Sequence, residues 1–172
     1  MNQPATRKRP RARLAAAPGD EARPILYVED REDDAFFMIR ACAMAGIRQP
    51  LQAVPNGNQA IAYLDGSGTF ANRRRYPLPC LMLLDLHMPG TSGFEVLAWI
   101  RSRPEFAELP VLVFTSSKLP SDAERAARLG ASGFLVKPLT LKELVEMVNG
   151  LKQYWPQFDP GAHRPPGGVA VS

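Results

Sequence analysis

The sequence predicts a doubly wound α/β fold, a five-stranded parallel sheet with helices on both faces, and two observations carry that prediction. Short, mostly apolar runs recur at 25–28, 51–54, 81–84, 111–114 and 133–136. Runs without polar alternation are what strands buried on both faces require. Each run is followed by a segment with helical spacing of its apolar residues. Strict alternation of strand and helix makes short right-handed crossovers between parallel neighbours the expected connection.

The chain has 172 residues with 45% hydrophobic content, enough for one ordinary core plus tails. No apolar run approaches the length of a membrane span, and the N-terminus lacks the order of a secretory signal, so a cytoplasmic location is expected. The formal charge of +4 is concentrated at one end. Arg7, Lys8, Arg9, Arg11, Arg13 and Arg23 face only Asp20 and Glu21, and an Ala-Pro-Gly stretch follows the basic cluster. Residues 1–23 therefore read as a disordered basic arm, a solvated tail in preference to a nucleic-acid contact. Residues 159–172, with His163-Arg164-Pro165-Pro166-Gly167-Gly168, read as a second loose tail, which leaves 24–158 as the folded domain. Cys42 and Cys80 have no metal-type spacing and read as reduced, packed thiols.

Ile25 to Val28 forms the first strand, and Glu29-Asp30 ends it. Five carboxylates lie within residues 29–34, and Asp33 or Asp34 is expected to cap a helix running from about Asp33 to Ala45 before Gly46. Its core stripe is Met38, Ala41, Cys42 and Ala45, with Phe37 and Ile39 flanking and Phe36 pointing away. A strand at Leu51 to Val54, a turn at Asn56-Gly57 and a short helix from Gln59 to Leu64 come next. Asp65 to Pro79 lacks periodicity and reads as a long loop. The strand from Leu81 delivers Asp85 and breaks at Pro89-Gly90; a helix covers about Gly93 to Arg101. The strand Val111 to Phe114 ends in Thr115-Ser116-Ser117, and a helix spans about Ser121 to Leu129. Gly133 to Val136 leads to Lys137-Pro138, whose peptide bond is a candidate for cis, and a last helix from about Leu141 is expected to continue into Tyr154-Trp155.

Four strand ends thus supply a carboxylate pair, a single carboxylate, hydroxyls and an ammonium to one rim, where open parallel sheets gather their ligands. Glu29 and Asp30 at one strand end repel unless they share a cation, and hard oxygen donors of this kind suit Mg²⁺. Asp85 can then act as a nucleophile toward phosphorus, with Lys137, Thr115 and the metal neutralising the phosphoryl oxygens.

Together Glu29-Asp30, Asp85, Thr115-Ser116 and Lys137-Pro138 resemble the receiver domain of two-component response regulators, over about Pro24 to Tyr154. The resemblance implies the flavodoxin-like strand order 2-1-3-4-5, Asp85 as phosphoacceptor, Asp30 as direct Mg²⁺ ligand, Glu29 as its mostly water-mediated companion and the His87 carbonyl as a further ligand. It implies that Thr115 and Lys137 bind the phosphoryl oxygens, with Lys137-Pro138 cis. Phe134 occupies the aromatic switch position that follows Thr115. His87 and Ser117 occupy positions where the family tunes phosphoryl lifetime. The long loop after the second helix, the run Phe114 to Lys118 and the aromatic C-terminal end are similar to stand-alone regulators that partner bacterial phytochromes.

The expected function is that of a stand-alone response regulator. It takes a phosphoryl group from a sensor histidine kinase, phytochrome-type by the narrower resemblance, and signals to a downstream protein through its own surface. Such a protein catalyses its own phosphorylation and a slow hydrolysis. The implied output face is the fourth helix, fifth strand and fifth helix, with homodimerisation through that face as one route. Kinase docking is implied for Asp34 and Phe37, and helical geometry adds Phe36. A phosphorylation-independent interaction module is the alternative, and the intact acidic pair with Lys137 argues against it. A phosphatase with an Asp nucleophile would want a second carboxylate where His87 stands.

Overall fold

In the computed structural model, which describes residues 23–152, the chain runs β1 (Ile25–Val28), α1 (Glu32–Met44), β2 (Leu51–Val54), α2 (Gly57–Asp65) and β3 (Leu81–Leu84). It continues through α3 (Gly93–Arg101), β4 (Val111–Thr115), α4 (Pro120–Arg128), β5 (Gly133–Val136) and α5 (Leu141–Lys152). Every strand pairing is parallel, and the order β2-β1-β3-β4-β5 is the expected one. The order reverses direction between β1 and β3, which opens a crevice beyond their carboxyl ends.

Alternate strand residues feed opposite faces, so the apolar runs serve two cores. Leu26, Val28, Met82, Leu84 and Val111 pack with Ala60, Tyr63 and Leu64 of α2 and Val96, Leu97 and Ile100 of α3. Ile25, Tyr27, Leu81, Leu83 and Phe114 pack on the other face with Met38, Ala41 and Cys42 of α1 and Leu144 and Val148 of α5. The α1 stripe is thus the one the helical spacing predicts. Phe37 and Ile39, flanking it, stand 46% and 49% exposed, because α1 turns only its narrow stripe to the sheet. The fourth helix is the most lightly attached: Ala126 is its one buried residue, packed against Leu86, Phe94 and Val113.

Several sequence expectations change in physical detail. No acid caps α1; its N-cap is Arg31, without a side-chain cap bond, and Glu32, Asp33 and Asp34 occupy the first turn, where they favour the helix dipole. The second helix starts two residues early because Asn56 caps it by accepting from the Gln59 N–H at 2.9 Å. Residues 65–79 are not a plain loop. A 3₁₀ turn at Gly68–Phe70 buries Phe70 against Tyr63 and Tyr76, and the Arg73 guanidinium donates to the carbonyls of Tyr63 (2.6 Å) and Leu64 (2.5 Å) at the end of α2. Arg23, assigned to the basic arm, belongs to the fold, donating to the carbonyls of Leu78 (3.2 Å) and Pro79 (2.7 Å). No peptide bond among the described residues is cis, Lys137-Pro138 included. The backbone of Lys137 is held in the sheet by a 2.8 Å bond from its N–H to the Thr115 carbonyl, and the extended geometry a residue before proline needs is met with the trans isomer. Residues 1–22 of the basic arm, the tail of 159–172 and the aromatic end at Tyr154-Trp155 lie outside the described residues.

Candidate functional site

Sheet hydrogen bonding continues just past the strands, and this fixes the rim. The Glu29 N–H donates to the Val54 carbonyl at 3.0 Å and the Asp85 N–H to the Val28 carbonyl at 3.1 Å. With Lys137 tied to β4 in the same way, three chemistry-bearing residues are placed by the ladder rather than by loose loop. Behind Asp85 the chain approaches closely. Gly93 donates to the Leu86 carbonyl at 3.0 Å, and a Cβ on it would run into the Asp85 carbonyl oxygen and meet Leu86 Cα at 2.8 Å. Only glycine fits there.

The Lys137 ammonium stands at the centre. It donates to Glu29 Oε2, to Asp85 Oδ2 at 2.9 Å and to Asp34 Oδ2 at 3.0 Å. Glu29 and Asp85 are buried, and Asp34 is partly exposed. Tyr27, wholly buried in β1, donates its hydroxyl to the same Glu29 oxygen at 2.9 Å, while the Arg31 N–H reaches Glu29 Oε1 at 3.2 Å. The other Asp85 oxygen accepts from the Leu86 N–H at 2.6 Å. Burial pushes the Glu29 carboxyl above the usual carboxylate range despite the hydrogen bond and charge of Lys137. Burial alone would lower Lys137, but its hydrogen bonds to Glu29 and Asp85 outweigh that and raise it. Thr115 is fully buried at the end of β4, with its hydroxyl accepting from the Ser117 N–H at 3.3 Å.

Carboxylate oxygens of Glu29, Asp30 and Asp85 lie within 4.8 Å of one another. Counting Asp34, four carboxylates meet around one ammonium that bonds three of them, which leaves the cluster short of positive charge. Clustered hard oxygen donors with surplus negative charge are what a small divalent cation selects. The residues present therefore fit a divalent metal.

The structure brings together Glu29, Asp30, Asp85 and Lys137, and joins Thr115 to Lys137 through the backbone, with His87 two residues beyond Asp85. Phe134 lies on β5 opposite Val113 and packs, partly buried, on the cluster of Leu86, Phe94 and Ala126. Asp34, expected as a docking residue, has its carboxylate turned to Lys137. Phe36 and Phe37 stand 59% and 46% exposed on α1 with their rings edge to face. Phe37 also borders a cleft of about 350 Å³ beside the rim, shared with Arg31, Lys118, Leu139 and Leu141. Sequence reasoning missed Tyr27, whose hydroxyl orients Glu29, and Gly93, whose close approach backs Asp85. The signal for Tyr27 was a lone hydroxyl in an apolar strand two residues before an acid, on the same sheet face. It also missed Asp122 at the start of α4, which binds His87 and Ser117.

Comparison with known proteins agrees with this geometry. The family model described as the response regulator receiver domain matches residues 25–149. Response regulator Rcp1 of Synechocystis sp. is 34% identical over 139 residues, covering 79% of this chain and 92% of that protein. The crystal structure of Rcp1 in its Mn²⁺-bound form superposes with a TM-score of 0.71 at 30% identity, over 84% of this chain and all of that one. The phosphorylated cyanobacterial phytochrome response regulator RcpA gives a TM-score of 0.70 at 31% identity, over 78% of this chain and 94% of that one. Among the described residues no helix is long and apolar enough to cross a membrane.

Proposed function

The chain belongs to the response regulator receiver domain family, and from that premise we propose that Asp85 accepts a phosphoryl group from a sensor histidine kinase at a Mg²⁺ site. The observation that carries the reading is Lys137, a buried ammonium shared among Glu29, Asp34 and Asp85 beside a three-carboxylate cluster. Asp30, Asp85, Glu29 and the His87 carbonyl would hold the ion. Bound there, Mg²⁺ supplies positive charge for the carboxylates and the incoming phosphoryl oxygens.

An Asp85 oxygen forms a bond to phosphorus as the bond from phosphorus to the donor's imidazole nitrogen breaks, and the imidazole leaves with the electron pair. The Leu86 N–H and the Lys137 ammonium fix the two Asp85 oxygens beforehand, so attack needs little reorganisation. Lys137 moves from carboxylate to phosphoryl oxygen, and the Thr115 hydroxyl turns to donate to another. Phe134 fills the space Thr115 leaves, and α4, β5 and α5 carry the change to a downstream protein or a second copy. The same carboxylate is released by slow hydrolysis, so the protein catalyses both its own phosphorylation and its reset.

The kinase docks along α1, where Phe36 and Phe37 stand exposed beside the rim, with Asp34 linking that face to Lys137. The likeness to Rcp1 and RcpA supports a phytochrome-type kinase. A receiver fold working without phosphorylation would keep these buried acids at a cost in stability and no use. Labelling by an acyl phosphate with Mg²⁺ tests the proposal. Incorporation is expected at Asp85 alone, absent from Asp85→Asn and sharply reduced in Asp30→Asn; full labelling of D85N overturns the assignment.

A further inference from the structure

The loops after β3 and β4 are joined by a bridge that the phosphoryl chemistry above does not use. Asp122, in the first turn of α4, accepts at one oxygen, Oδ2, from the Ser117 hydroxyl at 2.6 Å and from His87 Nε2 at 2.9 Å. Both bonds end on one carboxylate oxygen, and a carboxylate only accepts, so the imidazole donates through Nε2. The same Ser117 hydroxyl accepts from the Leu119 N–H at 3.3 Å, and the Ser117 N–H donates to Thr115 Oγ1. A second tie runs parallel: the Arg125 guanidinium lies 4.0 Å from the centre of the Phe94 ring, which meets the His87 ring edge to face.

His87 is two residues past Asp85 and Ser117 two past Thr115, the pair between which the phosphoryl group must sit. A bridge between those two positions spans the groove between β3 and β4 directly outside it. Resting on the phosphoacceptor reading, we propose that Asp122 is a positioning residue that latches this groove. With His87 and Ser117 tied together, the phosphorus donor and, later, water reach Asp85 only when the latch opens. Both directions of the cycle then run at a rate scaled by the open fraction. In phosphorylation by acetyl phosphate, the Asp85 oxygen bonds phosphorus as the bond from phosphorus to the acetate oxygen breaks and acetate leaves. In hydrolysis, a water oxygen bonds phosphorus as the bond to the Asp85 oxygen breaks. The carboxylate is restored, and the water's protons leave on inorganic phosphate and to solvent.

Loss of hydrogen bonds to a charged acceptor shifts the latch by about tenfold. Asp122→Ala should therefore speed labelling by acetyl phosphate and decay of the phosphorylated protein together by about that factor, with steady-state occupancy little changed. Asp122→Asn keeps an acceptor oxygen and should fall between. Ser117→Ala, which breaks one arm and leaves the backbone bond to Thr115, should accelerate both steps less than D122A does. Melting curves of each variant separate this from loss of fold, since a merely structural Asp122 would lower stability without raising either rate. Rates in D122A and S117A equal to or below wild type overturn the latch. Absence of labelling in the wild-type protein overturns the phosphoacceptor reading instead.

Discussion

Lys137→Met keeps the length of the stem and deletes the ammonium, and its effect can be worked from the site. Three carboxylates lose their shared donor, two of them buried and one, Asp34, with its side chain 24% exposed. Removing one partner of a buried ion pair costs about 3–5 kcal/mol, and solvent screening of Asp34 points to the lower end, about 3 kcal/mol. For a domain of this size that lowers the melting temperature by about 10–15 °C. The assay is thermal unfolding in metal-free buffer at neutral pH. Its pH dependence supplies a second, independent signature. Lys137 titrates above its unfolded value of about 10.4, so its contribution is complete below that pH and vanishes as pH rises through the folded value. The wild type should lose stability in that alkaline window, and K137M should lack the loss. Glu29, also raised, favours the fold most when protonated, below about pH 4.3, and that contribution is lost as pH rises through its folded value. Without Lys137 to oppose burial, the deficit of K137M should therefore shrink as the buffer is made acid. An unchanged or higher melting temperature for K137M at neutral pH would refute the reasoning.

Gly93→Ala places a methyl against the backbone of Asp85 and Leu86, and should cost about 2–3 kcal/mol and slow labelling of Asp85, read by melting and by acyl phosphate incorporation. Normal labelling in G93A would show that the loop relaxes without moving Asp85. Phe36→Ser or Phe37→Ser should slow transfer from a phosphorylated kinase by about tenfold while leaving acetyl phosphate labelling near wild type, since an exposed ring that anchors a partner is worth about 1–2 kcal/mol. Equal losses with both donors would assign the rings to the fold. Amide exchange with and without a phosphoryl mimic should change across residues 115–137, and identical exchange there would remove the proposed switch of Thr115 and Phe134.

What is legible in the sequence is whatever a local pattern records. Strands buried on both faces leave apolar runs, and their ends can be read off; Asp85, Thr115 and Lys137 follow directly. Asp34 hides because an acid in the first turn of a helix already has a local reason to be there, while its partner Lys137 lies 103 residues away. Asp122 hides for the same reason, with His87 35 residues distant. The segment 65–79 shows no period because its order comes from one guanidinium gripping carbonyls and three rings meeting edge to face, and neither repeats along the chain. Gly93 is visible as a helix start, but the approach of the Asp85 carbonyl exists only once α3 folds back on β3.

Because α4 buries a single alanine and is otherwise held by Arg125 over Phe94 and by Asp122, its detachment is a local event rather than a fraction of global unfolding. An element so lightly moored needs little energy to reposition: a change of about 1.4 kcal/mol, the order of one hydrogen bond, moves its population tenfold. The domain can thus report a single covalent event without approaching its own melting threshold. The polarity of α4 is the physical reason, since a helix with a broad apolar face would be too firmly seated to be read.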